Sequence, residues 1–186
     1  MVTKIDICNS ALARCGAEQI KSLTEENKRA KVIAAQYEIT LRELLNDSPW
    51  NFAIARVELE QNSVEPLFGY RYGYDLPTDS IKVLEVEHNI PFRVEGDYIF
   101  SDLNEKIKIK YVKFIDDPTK YSGSFIKAFY LKLAEDISYS LVQSASLQGQ
   151  ITQEAERYLR KARSMNSQEG TPESRMPEEY TYGIRV

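Results

Sequence analysis

Pro49 and Trp50, in the run LNDSPWNFA, impose a change of secondary structure that organises the rest of the chain. Proline lacks an amide donor, and its ring pushes the preceding Ser48 out of the α region, so a helix arriving from upstream has to stop there. Upstream, Ala30, Ile33, Ala34, Tyr37, Leu41, Leu44 and Leu45 recur at helical spacing, the clearest periodicity in the sequence. Downstream, Ala53, Ala55, Val57 and Leu59 alternate with Ile54, Arg56, Glu58 and Glu60, as a half-buried strand requires. The only tryptophan therefore stands at a joint between helical and β parts, where the reading is a packing anchor rather than a ligand contact.

The remaining elements follow from the same two periods. A first helix is predicted to open at Thr3, with Asp6 completing a capping box, and to close before Gly16; Ile5, Cys8, Leu12 and Cys15 form its buried stripe. The second helix is predicted to start near Thr24, with Glu25 and Glu26 in its first turn and Glu25 paired to Arg29. Beyond the joint, Tyr70, Tyr72 and Tyr74 share one face of a second strand. Ile81 and Val83 then slip in parity against Leu84 and Val86, which predicts a bulge or a strand buried on both faces. Strands at Phe92 to Val94, Tyr98 to Ser101 and Lys106 to Phe114 are joined by the turn-prone EGD and DLNE, and such short gaps predict an antiparallel meander. Asp116, Asp117 and Pro118 end the β region. Phe125, Ile126, Phe129, Tyr130, Leu133, Ile137 and Leu141 then make an apolar face wide enough for more than one partner helix. A last helix, from about Thr152, turns Ala155, Tyr158, Leu159, Ala162 and Met165 inward.

The expected fold is therefore α+β. N- and C-terminal helices (residues 1–48 and 118–168) form a bundle, an antiparallel β domain is inserted at 49–117, and an extended tail occupies 169–186. A chain of 186 residues can bury one sizeable core or two small ones.

Chemistry-bearing patterns are sparse. The formal net charge of −4 and pI near 5.2 argue against a free-standing nucleic-acid binder, which gains affinity by neutralising phosphates with clustered cations. No apolar run approaches the roughly 20 residues of a membrane helix, so a soluble, cytoplasmically assembled protein without membrane contact is expected. Cys8 and Cys15 would lie about 10 Å apart along one helix, too far to bridge. With a single histidine they make a poor zinc site, so they are read as buried structural thiols. His88 is read as a turn or surface residue, and Asp116 with Asp117 as turn formers. No phosphate-binding glycine loop, zinc-protease helix or nucleophile elbow is present, so no catalytic, cofactor-binding or metal residue is assigned and the chain is read as a non-enzyme.

Three features remain as candidate contact surfaces. FGYRYGYDL resembles in outline the aromatic strand of an RNA-recognition domain, but the helices cluster at the chain ends, so Tyr70 and Tyr72 are read as core or subunit-packing residues. Lys106, Lys108 and Lys110 line one face of a strand, opposite Ile107, Ile109 and Tyr111. That stripe could meet DNA phosphate or an acidic neighbour, although the preferred reading is a solvated face that discourages edge aggregation. Arg157, Arg160, Lys161 and Arg163, balanced only by Glu154 and Glu156, suit either solvation or a docking face.

Taken in order, ALARCGAEQI, LRELLNDSPWNFAIARVEL, YGYDLPTDSIKVLEV and VKFIDDPTKYSGSFIKAFYLKLAEDISYSL resemble the tail tubular protein A family of short-tailed phages, the head-to-tail adaptors. The likeness spans about residues 5–163. It implies a helical bundle bearing a β domain, twelve copies in a ring beneath the portal protein, a tail nozzle protein on the far side, and DNA passing through the lumen without specific binding. Residence in the virion tail follows from it. Tyr180 and Tyr182, aromatic residues in an otherwise polar tail, are the expected anchors on the portal. The alternatives kept open are a nucleic-acid-binding module and an enzyme of unrecognised type.

Overall fold

A computed structural model describes residues 1–63 and 66–169. Its elements run α1 (Lys4–Arg14), α2 (Lys28–Asp47), β1 (Ile54–Leu59), β2 (Tyr72–Asp75), β3 (Ser80–Val86), β4 (Phe92–Glu95), β5 (Tyr98–Ser101), β6 (Ile107–Lys113), α3 (Gly123–Val142) and α4 (Ala145–Ser167). The fold is α+β, with helices from both ends of the described chain flanking the strands. The tail expected beyond Glu169 lies outside the described residues.

Local chemistry explains each helix boundary. Thr3 caps α1, its hydroxyl accepting from the Asp6 amide while the Asp6 carboxylate accepts from the Thr3 amide at 2.8 Å; this is the predicted capping box. Gly16, with φ +68, lets the chain leave the helix in the left-handed region. α2 begins later than predicted. Glu25 does not join its first turn but accepts from the Lys21 and Ser22 amides at 2.5 and 3.0 Å, closing a turn of its own, and Asn27 caps the helix through Ala30 N at 2.8 Å. The expected Glu25–Arg29 pair is therefore replaced by Arg29–Glu18 at 3.0 Å. α4 begins at Ala145 rather than near Thr152, because Ser144 caps Leu147 N.

α3 is the central helix of the bundle, packing on α1, α2 and α4, as its broad apolar face predicts. Buried stripes differ in detail from expectation. Ile7 is buried where Ile5 is only half-buried, Thr40 is buried while Ala34 is exposed, and Met165 faces outward.

The strands do not form a meander. The first and last strands pair, giving an antiparallel sheet of order β1-β6-β3, and a second antiparallel sheet has order β2-β5-β4. The two stack, burying Leu59, Val86, Ile107, Ile109 and Tyr111 of one against Tyr74 and Ile99 of the other. A meander of short strands would leave one apolar face wet; crossing between two layers buries both. Only the β4–β5 link is a tight hairpin, turning through Gly96 at φ +58. β3 carries the register break expected near Val83 and Leu84, between Val83 and Glu85, and another between Ser80 and Lys82. Tyr70 falls outside β2, which starts at Tyr72.

A second apolar cluster, the larger, fills the bundle and reaches into the first sheet through Val112, with Ile81, Leu84 and Phe114 packed on it. Arg42 of α2 lies 4.0 Å over the Phe114 ring, a further tie between bundle and sheet.

Candidate functional site

The joint at Pro49 and Trp50 is a built structure. The Trp50 indole is fully buried, donates from Nε1 to Leu44 O at 2.9 Å, and meets the Phe125 ring edge-on at 4.9 Å. Asn166, near the end of α4, holds the joint from the other side. Its Oδ1 accepts from Asn51 N at 2.9 Å, its Nδ2 donates to Pro49 O at 3.0 Å, and its carbonyl accepts from Asn51 Nδ2 at 2.7 Å. Arg163, one turn earlier, pairs with Asp47 at the end of α2, so it is spent on the joint and does not join the candidate α4 surface. Asn166 was not legible as a functional position in the sequence, where it is one polar residue among many on an amphipathic helix.

The outer face of the first sheet decides between the two readings of the lysine row. β6 is central, so Lys106, Lys108 and Lys110 are flanked by Glu58 and Glu60 on one side and by Glu85 and Glu87 on the other. Lys106 reaches Glu60 at 2.5 Å and Glu58 at 3.7 Å, Lys108 reaches Glu87 at 3.2 Å, and Lys110 reaches Glu85 at 3.9 Å. The hydrogen bond that Lys106 donates to the Glu60 carboxylate holds its ammonium above its ordinary pKa. With Arg56 the described residues of this face carry as many cations as carboxylates, so they offer no net positive field to a phosphate backbone. It curves into a shallow hollow of about 480 Å³ lined by Arg56, Glu58, Glu85, Glu87, Lys108 and Lys110.

Arg157, Arg160 and Lys161 stand exposed on one face of α4, where Arg160 lies 3.8 Å from Glu156. Tyr72 is half-buried against the sheet-to-sheet core, and Tyr70 is half-buried in the loop before β2. The fold does not gather these residues: the basic group sits on a helix packed against α3, the tyrosines beside the second sheet. Tyr180 and Tyr182 lie outside the described residues. Leu67 and Phe68, 100% and 89% exposed in the β1–β2 loop, were missed by sequence reasoning. The available signal was two large apolar residues between Pro66 and Gly69 that belong to neither period.

Groups with nominal chemistry are engaged structurally. Cys8 and Cys15 are buried, and burial pushes their thiols up to about 12 and about 11. Asp117 accepts from the Thr119 amide and hydroxyl, and Asp116 pairs with Lys4. His88 is exposed, in the left-handed region at φ +63 just after β3. Among the described residues no cluster of three or more His, Cys, Asp or Glu side chains is placed to hold a metal ion, and no helix is long and apolar enough to cross a membrane.

No protein-family model matches this chain, and no curated protein is similar enough to count as a match.

Proposed function

We propose that this protein is a structural head-to-tail adaptor of a short-tailed phage, a ring component between portal protein and tail nozzle through whose lumen the genome passes. The observation that carries the reading is the order and junction of parts. Helices from both sides of the β region share one core, the strands stack between them in sequence, and the joint falls at the PWNFA segment on which the family resemblance rests. A ring component needs a rigid link between the part that meets one partner and the part that meets the next, and Trp50 with Asn166 supplies it.

The charge-matched sheet face supports the same reading over a nucleic-acid module, because cations already paired to glutamates release few counterions on meeting DNA. In this reading the Arg157, Arg160 and Lys161 face of α4 meets an acidic partner surface, and Tyr180 and Tyr182 anchor the end of the chain on the portal.

The test is direct. The purified chain is mixed with a cognate portal ring and imaged by electron microscopy; an added ring beneath the portal supports the adaptor, and a bare portal at saturating protein sinks it.

A further inference from the structure

The stacked sheets carry an apolar knob in the loop before β2 and a groove of mixed polar and apolar lining after it. The knob is Leu67 with Phe68, both projecting almost wholly into solvent, with the exposed Arg71 beside them. An exposed adjacent pair of this size is the kind of apolar feature that marks an interaction site, and aromatic anchors dominate interface energetics. The groove begins where β2 ends. It has a volume of about 550 Å³, within the range of roughly 300–1,000 Å³ that accommodates compact ligands. Leu76, Val83, Val94 and Tyr98 give it apolar walls, Ser80 and Lys82 polar ones, and Asp97 stands exposed at its rim. Its walls come from β3, an edge of the first sheet, and from β4 and the β4–β5 turn, an edge of the second.

We propose that the Leu67–Phe68 knob of one copy seats in the β3–β4 groove of the next copy, with Arg71 facing the neighbour's Asp97. β2, held in register along its length by β5, lies between knob and groove along the chain. Arg71 and Asp97 carry opposite charges, and neither has an ion-pair partner among the described residues. Knob and groove are different surfaces, so the contact is head-to-tail, and repeating it gives a closed ring when the rotation between copies closes. The inference rests on the ring reading and specifies which surfaces make the ring.

The experiment uses engineered cysteines, the native two being buried. Full-length Phe68→Cys is mixed with a size-tagged Val94→Cys variant under mild oxidation, and Phe68→Cys with Lys28→Cys serves as control. Mixed disulfide dimers above the control are expected, and the Phe68→Cys/Val94→Cys double variant should give a ladder of higher multimers. Arg71→Asp should slow the Phe68–Val94 cross-link about tenfold or more, and Asp97→Arg on the partner copy should restore it. Cross-linking no greater than the control, a double variant that stops at dimers, or no recovery in the charge swap overturns the proposal. Ring density on a portal without the cross-link would remove this contact and leave the adaptor reading standing; the cross-link without portal density would do the reverse.

Discussion

Trp50→Ala removes the largest fully buried side chain in the protein, and its cost can be worked from the contacts. The indole has no exposed surface, its edge-on partner Phe125 is itself fully buried, and Phe52 packs on that same Phe125 ring at 4.7 Å. Truncating a buried tryptophan to alanine costs about 3–5 kcal/mol, a large share of the roughly 5–15 kcal/mol that separates folded from unfolded states. Trp50→Phe isolates one part of that loss. It keeps most of the apolar volume and removes the Nε1 donor to Leu44 O, so about 1–2 kcal/mol is expected. The assay is urea unfolding followed by far-UV circular dichroism, because Trp50 is the only tryptophan and its fluorescence disappears with it. A lower midpoint at unchanged slope reports stability alone. A loss below about 1.5 kcal/mol for the alanine variant would refute the core placement. Wild-type melting combined with failed ring assembly would move Trp50 from core to interface.

Three further outcomes are expected. Asn166→Ala strips two hydrogen bonds from the joint and leaves Asn51 N and Pro49 O without their partners, a loss of about 2–4 kcal/mol by the same unfolding assay; an effect under about 0.5 kcal/mol would show that the clamp is dispensable. Asp79 accepts from Lys113 at 2.8 Å and from the Tyr111 hydroxyl at 3.1 Å, and these bonds, the lysine first, hold its carboxyl below the ordinary value. A depressed folded pKa means the stabilisation is present above the unfolded value and fades as pH falls through the folded one. Asp79→Asn should therefore lower the urea midpoint at neutral pH and converge with wild type as pH falls beneath the ordinary aspartate range; a gap that stays constant with pH contradicts this. Deleting residues 170–186 should lower portal binding measured by co-sedimentation; unchanged portal binding rejects the anchoring role of Tyr180 and Tyr182.

The parts of the fold written in local chemistry were legible. Thr3 and Asp6 cap each other across a single turn, the parity slip near Leu84 is a property of neighbouring residues, and the broad stripe on α3 records how many helices touch it. Errors arose where one local signal masked another. Glu25 and Glu26 look like the first turn of a helix, but the Glu25 carboxylate satisfies two amides upstream and also accepts from Asn27 Nδ2 at 2.6 Å, so the helix waits for Asn27. The polar run around Gly149 hid the start of α4, although Leu147 and Ile151 already stand at helical spacing there. Strand pairing was legible only locally, in the antiparallel β4–β5 hairpin turning at EGD. Alternation identifies a strand and its wet face, whereas the pairing of β1 with β6 depends on residues about fifty positions away. The candidate surfaces divide in the same way: the lysine row was visible, but the glutamates that neutralise it come from two other strands.

The joint places further demands on how the two cores work together. α2 ends and β1 begins on either side of Trp50, while α4, which packs on α3, reaches the same point with Asn166. The described chain then stops at Glu169, whose carboxylate still accepts from Asn51 Nδ2 at 3.2 Å. Three separate stretches therefore meet within one hydrogen-bonded cluster, and a shift of α4 along α3 must either carry residues 49–51 with it or break that cluster. Packed interiors switch between discrete arrangements more readily than they deform smoothly. A partner gripping the outer face of α4 at Arg157, Arg160 and Lys161 consequently acts on the origin of β1, and through β1 on β6 and the whole first sheet. Asn166 therefore ties α4 to the start of β1, alongside the Val112 and Phe114 contacts that join bundle and first sheet.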